Sequence, residues 1–348
     1  MKRLFILAAA TVALASCAKT QVVYNEEPQE IAFKTVENVM TKTNTSLGYW
    51  ADGSMGVFAY KTGETNSYFT NAKFAKSNTE WVSADKDNED NVMHYYWPFQ
   101  GSLDFYVYAP HDGTFTCDRT THKIKKSAFT NSAYGVGNSY SGTADGSESF
   151  YDYNCPDLMY GSTIIISEKT DNAVDVSLKH ALALVQVKAS ATIGSVVKIQ
   201  SMELKGTPGS ANLTVTYKDD DSNNETPLKG TADWSNHSGT LDLTIVSTEK
   251  SVTNSSEQLG NEVLVIPGNA QTSFSIEYKL ANSETVFTAT LPLNTAGSPI
   301  WEPGKKYVYN ITFGVEEIKF APEVVDWGTG GVTAGSNGGV SVATYPQP

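Results

Sequence analysis

Short runs in which every second residue is apolar recur along this chain, and this period of two most limits how it can fold. In residues 273–280, for example, Phe, Ile, Tyr and Leu alternate with Ser, Glu and Lys. Such alternation is typical of β-strands. No stretch carries a long apolar stripe with a period of 3.6 residues, so we predict few and short helices. Short strands separated by turn residues favour an all-β protein built from β-sandwiches.

Strand patterns occur in both halves of the chain. The strongest pattern in the first half is 94–110, where the apolar positions alternate from Leu103 to Ala109 and Pro110 ends the strand. Residues 111–150 show little pattern. Residues 180–189 are apolar on both faces until Gln186, which fits either a strand inside a sandwich or a short core helix leading into a strand. Other strands are predicted at 30–36, 56–60, 157–167, 174–178, 198–204, 212–217, 240–246, 262–266, 273–280, 285–291, 306–313, 317–320 and 324–327.

The chain has 348 residues, which is enough for two domains of about 150 residues each. We place the boundary at the polar segment that ends near residue 172. This gives an N-terminal β-sandwich domain at 30–172 and a C-terminal β-sandwich domain at 173–348. Residues 18–29 are polar and contain one proline, so they are predicted to form a flexible tether.

The N-terminus has the features of an export signal. Lys2 and Arg3 precede an apolar run at 4–14, which is too short to span a bilayer, since that needs about 20 residues. Residues 14–17, Leu-Ala-Ser-Cys, resemble the lipobox of a bacterial lipoprotein. The resemblance implies that Cys17 becomes the acylated first residue. An ordinary signal peptide with a chance cysteine is the alternative.

The charge of the chain disfavours some partners. The formal net charge is -13 and the pI is about 4.8. No basic stripe is present to neutralise phosphates, so no nucleic acid partner is expected. Peripheral binding to anionic lipid is disfavoured for the same reason. Attachment to a membrane would therefore depend on the acyl chains at Cys17.

No motif for catalysis, a metal ion or a cofactor stands out. None of the five histidines has a metal-ligand spacing, and no nucleophile elbow or phosphate-binding loop occurs. Residues 85–90 alternate like a calcium loop, but Asp90 stands where glycine is required, which favours a solvated acidic loop. His180 is predicted to be a hydrogen-bonded core or edge histidine. We predict a protein without catalytic residues, metal ions or cofactors.

Two cysteines remain once Cys17 is assigned to lipid. An exported chain meets an oxidising compartment, so Cys117 and Cys155 could form a disulfide. Their spacing does not decide between that bond and two free, half-buried thiols.

The C-terminal end joins a glycine-rich segment to a short apolar run. Residues 328–339 contain six glycines, and Val340, Val342 and Thr344 of the following run would share one face of a strand. Such a tail fits either a frayed end or a strand donated to an open sheet elsewhere.

Several short motifs occur in an order that resembles the fimbrillin-like lipoproteins of Bacteroides and related bacteria. After the lipobox they are EIAFKTVENVMTKT at 30–43, GVFAY at 56–60, YWPF at 96–99, LDFYVYAP at 103–110, DLMYG at 157–161, HALA at 180–183, VIP at 265–267, WEPGKKY at 301–307 and VDW at 325–327. The resemblance implies two tandem β-sandwich domains of transthyretin-like arrangement, export as a lipoprotein, and no catalysis.

The resemblance also implies assembly by donor-strand exchange. In this process a trypsin-like protease cuts after an Arg or Lys that follows the first strand, and that strand leaves. The C-terminal strand of a neighbouring subunit fills the groove. Here the cut would follow Lys42 or, less favourably, Lys34, and the donated strand would come from 317–345, with Val340, Val342 and Thr344 as its candidate residues.

These features together predict a non-enzymatic surface lipoprotein that is a pilus (fimbria) subunit, or a tip or anchor component, and serves cell adhesion. The expected partners are other pilus subunits, the outer membrane through the lipid on Cys17, and host or bacterial surface ligands. The alternative is a monomeric surface lipoprotein that binds glycans through exposed Trp or Tyr side chains.

Overall fold

β-Branched and aromatic residues fill extended segments throughout the chain, and the molecule is built from strands. The computed structural model describes residues 27–35, 53–131, 155, 157–192, 197–218, 228–268, 272–280, 283–293, 301–314, 317–326 and 341–344. None of these residues is helical, so the few short helices that the sequence predicts are not found in the described part. That part also contains no helix long and apolar enough to cross a membrane.

The first half of the described chain forms eleven strands. They are β1 (Phe33–Thr35), β2 (Ser54–Lys61), β3 (Ser67–Ser77), β4 (Glu80–Ser83), β5 (Leu103–Ala109), β6 (Thr116–Asp118), β7 (Lys123–Thr130), β8 (Met159–Gly161), β9 (Ile165–Ser167), β10 (Val174–Val176) and β11 (Leu178–His180).

The second half forms another eleven. They are β12 (Ala183–Ala191), β13 (Val197–Lys218), β14 (Lys229–Val246), β15 (Lys250–Val252), β16 (Glu257–Gln258), β17 (Val263–Val265), β18 (Ser273–Leu280), β19 (Phe287–Pro292), β20 (Lys305–Phe313), β21 (Glu317–Asp326) and β22 (Ser341–Thr344).

Nine strands form one sheet, in the order β10-β1-β4-β3-β2-β5-β8-β11, with β9 paired to β5. The two ends of this order, β10 and β11, are separated in sequence by Ser177 alone, so the sheet must curl until its ends meet. The curl brings Phe33 of β1 against Phe105 of β5, with their ring centroids 5.1 Å apart. Strand β1 therefore lies across the interior of the curled sheet from β5.

The second half of the chain supplies most of two further sheets. A six-stranded sheet has the order β16-β12-β20-β21-β22, with β17 also paired to β12. A seven-stranded sheet has the order β19-β18-β13-β7-β6, with β14 and β15 also paired to β13. Residues 183–191 run parallel to β20 inside the six-stranded sheet. Of the two alternatives predicted for this region, the strand is therefore correct and the core helix is wrong.

Three apolar clusters fill the space between these layers. One lies between the six- and seven-stranded sheets, as in a β-sandwich. A second lies inside the curled nine-stranded sheet. A third covers the opposite face of that sheet and receives side chains from all three sheets. Strand β5 serves both of its neighbouring clusters, because Phe105 and Val107 enter one while Tyr106 and Tyr108 enter the other.

Hydrogen bonds cross the domain boundary predicted at residues 172 and 173. Strands β10 and β11 come after it, yet they belong to the nine-stranded sheet. The hairpin of β6 and β7 comes before it, yet β7 pairs with β13 of the seven-stranded sheet. The two-domain division stays a prediction, and the described strands on its two sides are interleaved.

The two internal cysteines are separate thiols in this structure. Cys117 is half-buried and Cys155 is buried, and neither forms a disulfide. Burial raises the pKa of the Cys117 thiol to about 12, so the nucleophilic thiolate is scarce at neutral pH.

Candidate functional site at the first and last strands

Strand β1 lies between two neighbours rather than at an edge. Phe33 pairs antiparallel with Trp81 of β4. On the other side, Phe33–Thr35 run parallel to Val174–Val176 of β10, and the Val174 N–H donates to the Ala32 carbonyl at 2.8 Å. A short segment is thereby held through its backbone along both sides.

The residues just before β1 are held by hydrogen bonds as well. The Ile31 N–H donates to the Tyr95 carbonyl at 2.8 Å, and the Trp97 N–H donates to the Gln29 carbonyl at 2.9 Å. The Gln29 side-chain amide donates to the Thr170 carbonyl at 2.6 Å. The whole stretch 29–35 therefore lies in a slot between the 81–97 region and the 170–176 region.

Two side chains of this stretch are fully buried, Ile31 and Phe33, both with no exposed surface. The Phe33 ring meets the rings of Phe74 and Phe105 edge to face, at 4.9 and 5.1 Å between centroids. Burial of side chains of this size stabilises by roughly 1.5–3 kcal/mol each. Removing the strand would leave a slot lined by aromatic rings and flanked by two unpaired strand edges.

The outward side of the stretch is ionic and exposed. Glu30 lies 2.9 Å from the Nδ1 atom of His94, and the Lys34 ammonium lies 3.3 Å from the Asp175 carboxylate. Exposed pairs of this kind contribute about 0–1 kcal/mol. The apolar face therefore dominates the binding of the first strand.

The last strand has a different position. β22 pairs antiparallel with β21, with Val342 opposite Lys319 and Thr344 opposite Glu317, and it ends the order of the six-stranded sheet. The run predicted at 340–345 thus contains a strand at the edge of the six-stranded sheet. Of the candidate donor residues, Val340 lies outside the described residues.

The two predicted modification sites also fall outside the description. Cys17 lies in the leading segment and Lys42 lies between β1 and β2, and neither belongs to the described residues. Lys34, the less favoured cleavage residue, lies within the hydrogen-bonded β1.

The residues considered for other chemistry have local partners. His180 is buried and its Nδ1 atom lies 2.8 Å from Asp157, as expected for a satisfied core histidine. The Asp87 carboxylate accepts backbone N–H groups of Asn91 and Glu89, and the bonds from Asn91 lower its pKa most. Among the described residues no group of three or more His, Cys, Asp or Glu side chains could hold a metal ion.

A polar cluster between sheets was missed by sequence reasoning. The Arg119 guanidinium, in the turn between β6 and β7, binds the buried Asp104 carboxylate of β5. His122 lies 2.7 Å from the Tyr106 hydroxyl, and burial raises the pKa of that hydroxyl. The cluster joins the hairpin of β6 and β7 to the nine-stranded sheet. We therefore interpret it as a structural contact between sheets and not as a substrate site. Residues 111–150 carry too little alternation to reveal the hairpin in advance.

A family model for fimbrillin-like proteins matches residues 39–327 of the chain. The match begins after β1 and ends before β22, so it spans the body of the molecule and includes neither terminal strand.

Three solved structures share the fold. A fimbrial protein from Bacteroides vulgatus is 16% identical, with 86% of this chain and 99% of that chain covered and a TM-score of 0.52. A candidate cell adhesion protein from Bacteroides ovatus is 15% identical, with coverage of 87% and 99% and a TM-score of 0.52. Another from Bacteroides uniformis is 16% identical, with coverage of 86% and 98% and a TM-score of 0.51. No curated protein sequence matches the chain.

Proposed function

The chain belongs to the fimbrillin-like family, and from that membership we propose that it is a non-enzymatic pilus subunit that polymerises by donor-strand exchange and serves cell adhesion. The observation that carries the proposal is the position of β1. Two fully buried side chains and hydrogen bonds on both sides hold a short segment, which residues 36–52 join to the body of the molecule. That joining sequence contains Lys42.

Cleavage after Lys42 would turn a covalent part of the fold into a bound peptide. The freed β1 could then dissociate from its slot between β4 and β10. Its loss would expose the rings around Phe33, at a cost that is a large share of the 5–15 kcal/mol stability of an ordinary domain. Departure of β1 and arrival of a replacement strand should therefore be coupled.

The tail of a neighbouring subunit is the replacement that this sequence offers. Val340 and Val342 are spaced by two, as a strand needs to present two apolar side chains to one face. Among the described strands, the tail of the chain is an edge strand that pairs with β21. A strand that is paired on one side breaks fewer backbone hydrogen bonds on leaving than a strand that is paired on both sides, so the same tail can serve as donor.

The lipid on Cys17 would act earlier in the life of the subunit. It would hold the exported chain at the outer membrane until cleavage removes the lipidated segment together with β1. A chain with a donatable tail suits a stalk or a position near the tip. A subunit that kept its lipid would instead anchor the pilus. Other pilus subunits, the outer membrane and surface ligands are the proposed partners.

Limited proteolysis tests the proposal. The chain from residue 18 to 348 is treated with a lysine-specific protease, and unheated samples are run on denaturing gels. We expect ladders of oligomers after cleavage at Lys42, and none from the K42Q variant. The K86Q variant, which removes a lysine from an exposed turn, should still give ladders. Fully cleaved protein that stays monomeric would contradict the proposal.

One observation favours a second candidate, the glycan-binding lipoprotein. Tyr68 and Tyr96 are exposed side by side, with the Tyr68 hydroxyl donating to the Tyr96 carbonyl at 2.9 Å. Exposed aromatic rings can stack on sugars. The four described Trp side chains are buried, so within the described part of the chain these two tyrosines are the candidate platform. Retardation in polysaccharide gels that Y96A abolishes would favour this function.

A further inference from the structure

Most of the large apolar side chains that stay exposed in the described part of the chain come from two segments, which the hydrogen bond from the Tyr68 hydroxyl to the Tyr96 carbonyl brings together. Seven are exposed among the described residues, and all but Ile166 and Val286 belong to β3 or to the segment that follows β4. This set, which we call the rim patch, consists of Tyr68, Val92, Met93, Tyr96 and Phe99, with exposed fractions from 38% to 61%. A concentration of exposed apolar side chains in one region of a sequence is a common mark of a binding surface.

The rim patch borders the slot of the first strand. Its segment supplies the backbone groups of Tyr95 and Trp97 that hold residues 29–31, and Glu30 forms a β-bridge with Tyr96. Tyr95 and Trp97 turn inward, where Tyr95 meets Phe69 at 4.5 Å and Trp97 is 6% exposed. The intervening Tyr96 is 41% exposed. Any strand in the slot therefore has the rim patch at its flank.

We propose that the rim patch is the surface on which a second copy of this chain docks when its tail occupies the β1 slot. The inference rests on the proposed function and assigns the contact made by the body of the donor, beyond its strand. A donor whose tail is bound is tethered beside the slot. Its body therefore reaches a high effective concentration at the rim patch, which an untethered partner does not.

The composition of the patch suits a protein partner. Aromatic residues and Met are enriched in protein interfaces, and the side chains of the patch carry no charge. Copies of this acidic chain, whose full sequence has a net charge of -13, repel one another, so an uncharged contact surface lowers the cost of their approach. The Tyr68 hydroxyl already bonds to the Tyr96 carbonyl, so less side-chain freedom is lost on docking.

Polar groups surround the patch, as they do around the apolar centre of an interface. At one side lies His94, whose partner Glu30 leaves together with β1. At the other, Lys86 pairs with Asp90 in the acidic turn, and Asp87 is held by the backbone of that turn. This acidic turn, residues 85–90, repels other acidic groups. The docking copy should therefore present a neutral or basic surface to residues 85–90.

The test compares matched surface variants in the protease assay. The double variant Y96S/F99S removes two rings of the patch, and I166S/V286S removes the two exposed apolar side chains that lie elsewhere. After cleavage we expect Y96S/F99S to assemble about tenfold more slowly or worse, and the control at the wild-type rate. A synthetic peptide of residues 338–348 should bind both cleaved variants equally, because both keep the backbone groups of Tyr95 and Trp97 and the buried side chains that line the slot.

Hydroxyl-radical footprinting supplies an independent readout. In wild-type polymers, oxidation of Met93, Tyr96 and Phe99 should fall relative to the monomer, while Val286 stays equally reactive. Ladders that form at the wild-type rate in Y96S/F99S, without protection of the patch, overturn this inference alone. Failure of the wild-type protein to form ladders overturns the proposed function and the inference with it. Wild-type assembly by Y96S/F99S with loss of polysaccharide retardation would assign the patch to glycan instead.

Discussion

The first and last strands are both short, but the structure holds them in opposite ways. Among the described strands, β1 has three residues, two hydrogen-bonded neighbours and a ring in the core, whereas β22 has four residues and one hydrogen-bonded neighbour, at the end of a sheet order. A segment embedded in this way defines a specific slot, and a segment at a sheet edge gives up fewer backbone hydrogen bonds when it leaves. In the proposed exchange, this difference makes β1 the strand that is replaced and β22 the strand that is given.

Deletion of each strand should give the largest difference between β1 and β22. Without residues 27–35 the protein loses the burial of Ile31 and Phe33, together roughly 3–6 kcal/mol, and the hydrogen bonds on both sides. We expect the nine-stranded sheet to unfold or aggregate in this variant. Deletion of 341–348 should give a much smaller loss in the free energy of unfolding, measured by urea denaturation. Equal losses would remove the contrast.

A milder test separates the two faces of the first strand. F33A should lower the free energy of unfolding by about 3–5 kcal/mol, because it empties a position enclosed by Phe74 and Phe105. K34A is its matched control and should cost about 0–1 kcal/mol, since its ion pair with Asp175 is exposed. Similar losses in the two variants would show that core burial does not hold the strand.

A peptide test asks whether the tail fits the slot. Added to the protein that lacks residues 27–35, a peptide of residues 338–348 should restore the folded state and raise its stability by about 2.7 kcal/mol at 100 times its Kd. A scrambled peptide of the same composition should have no effect. Melting temperatures that do not change with peptide concentration would argue against the tail as donor.

The smallest expected effect is a loss in the free energy of unfolding at low pH. It should weaken a contact between sheets and leave both terminal strands unaffected. Burial opposes ionisation of Asp112, but hydrogen bonds from Lys126 and Thr114 outweigh it and lower the pKa of the carboxyl. A lowered pKa means that this stabilisation is present above the unfolded pKa, about 4, and is lost as the pH falls through the folded value.

The expected size is at most about 1 kcal/mol, because Asp112 is partly exposed. D112N should flatten this part of the acid dependence of urea denaturation. Amide exchange in β1 should stay the same in D112N and wild type. Faster exchange in β1 of the variant would show that the links between sheets also hold the first strand.

Much of the second half could be predicted from sequence because its strands alternate cleanly. Residues 273–280 were predicted as a strand and form β18, with Phe274, Ile276 and Tyr278 in the sandwich core. The first half was harder to interpret. β3, β4, β6 and β7 were not predicted, since polar residues and turns interrupt their patterns. In β5 the alternation does not separate core from solvent, because apolar clusters cover both faces of the sheet.

The site was predictable in outline only. The sequence indicated a first strand near 30–36 and a terminal strand near 340–345, and strands occur in both regions. The pairing of β1 with β10, which is about 140 residues away, follows from the curl of the sheet and leaves no local signal. The rim patch was missed for a related reason, since exposure depends on which face of an extended segment meets the core. The transthyretin-like arrangement, the lipid on Cys17 and the cut after Lys42 stay predictions.

The most direct test of strand exchange is the N-terminal residue of the subunits within assembled polymers. N-terminal sequencing should find Thr43, because cleavage after Lys42 removes the lipidated segment together with β1. Polymers whose subunits begin at an acylated Cys17, and so retain the first strand, would contradict the account.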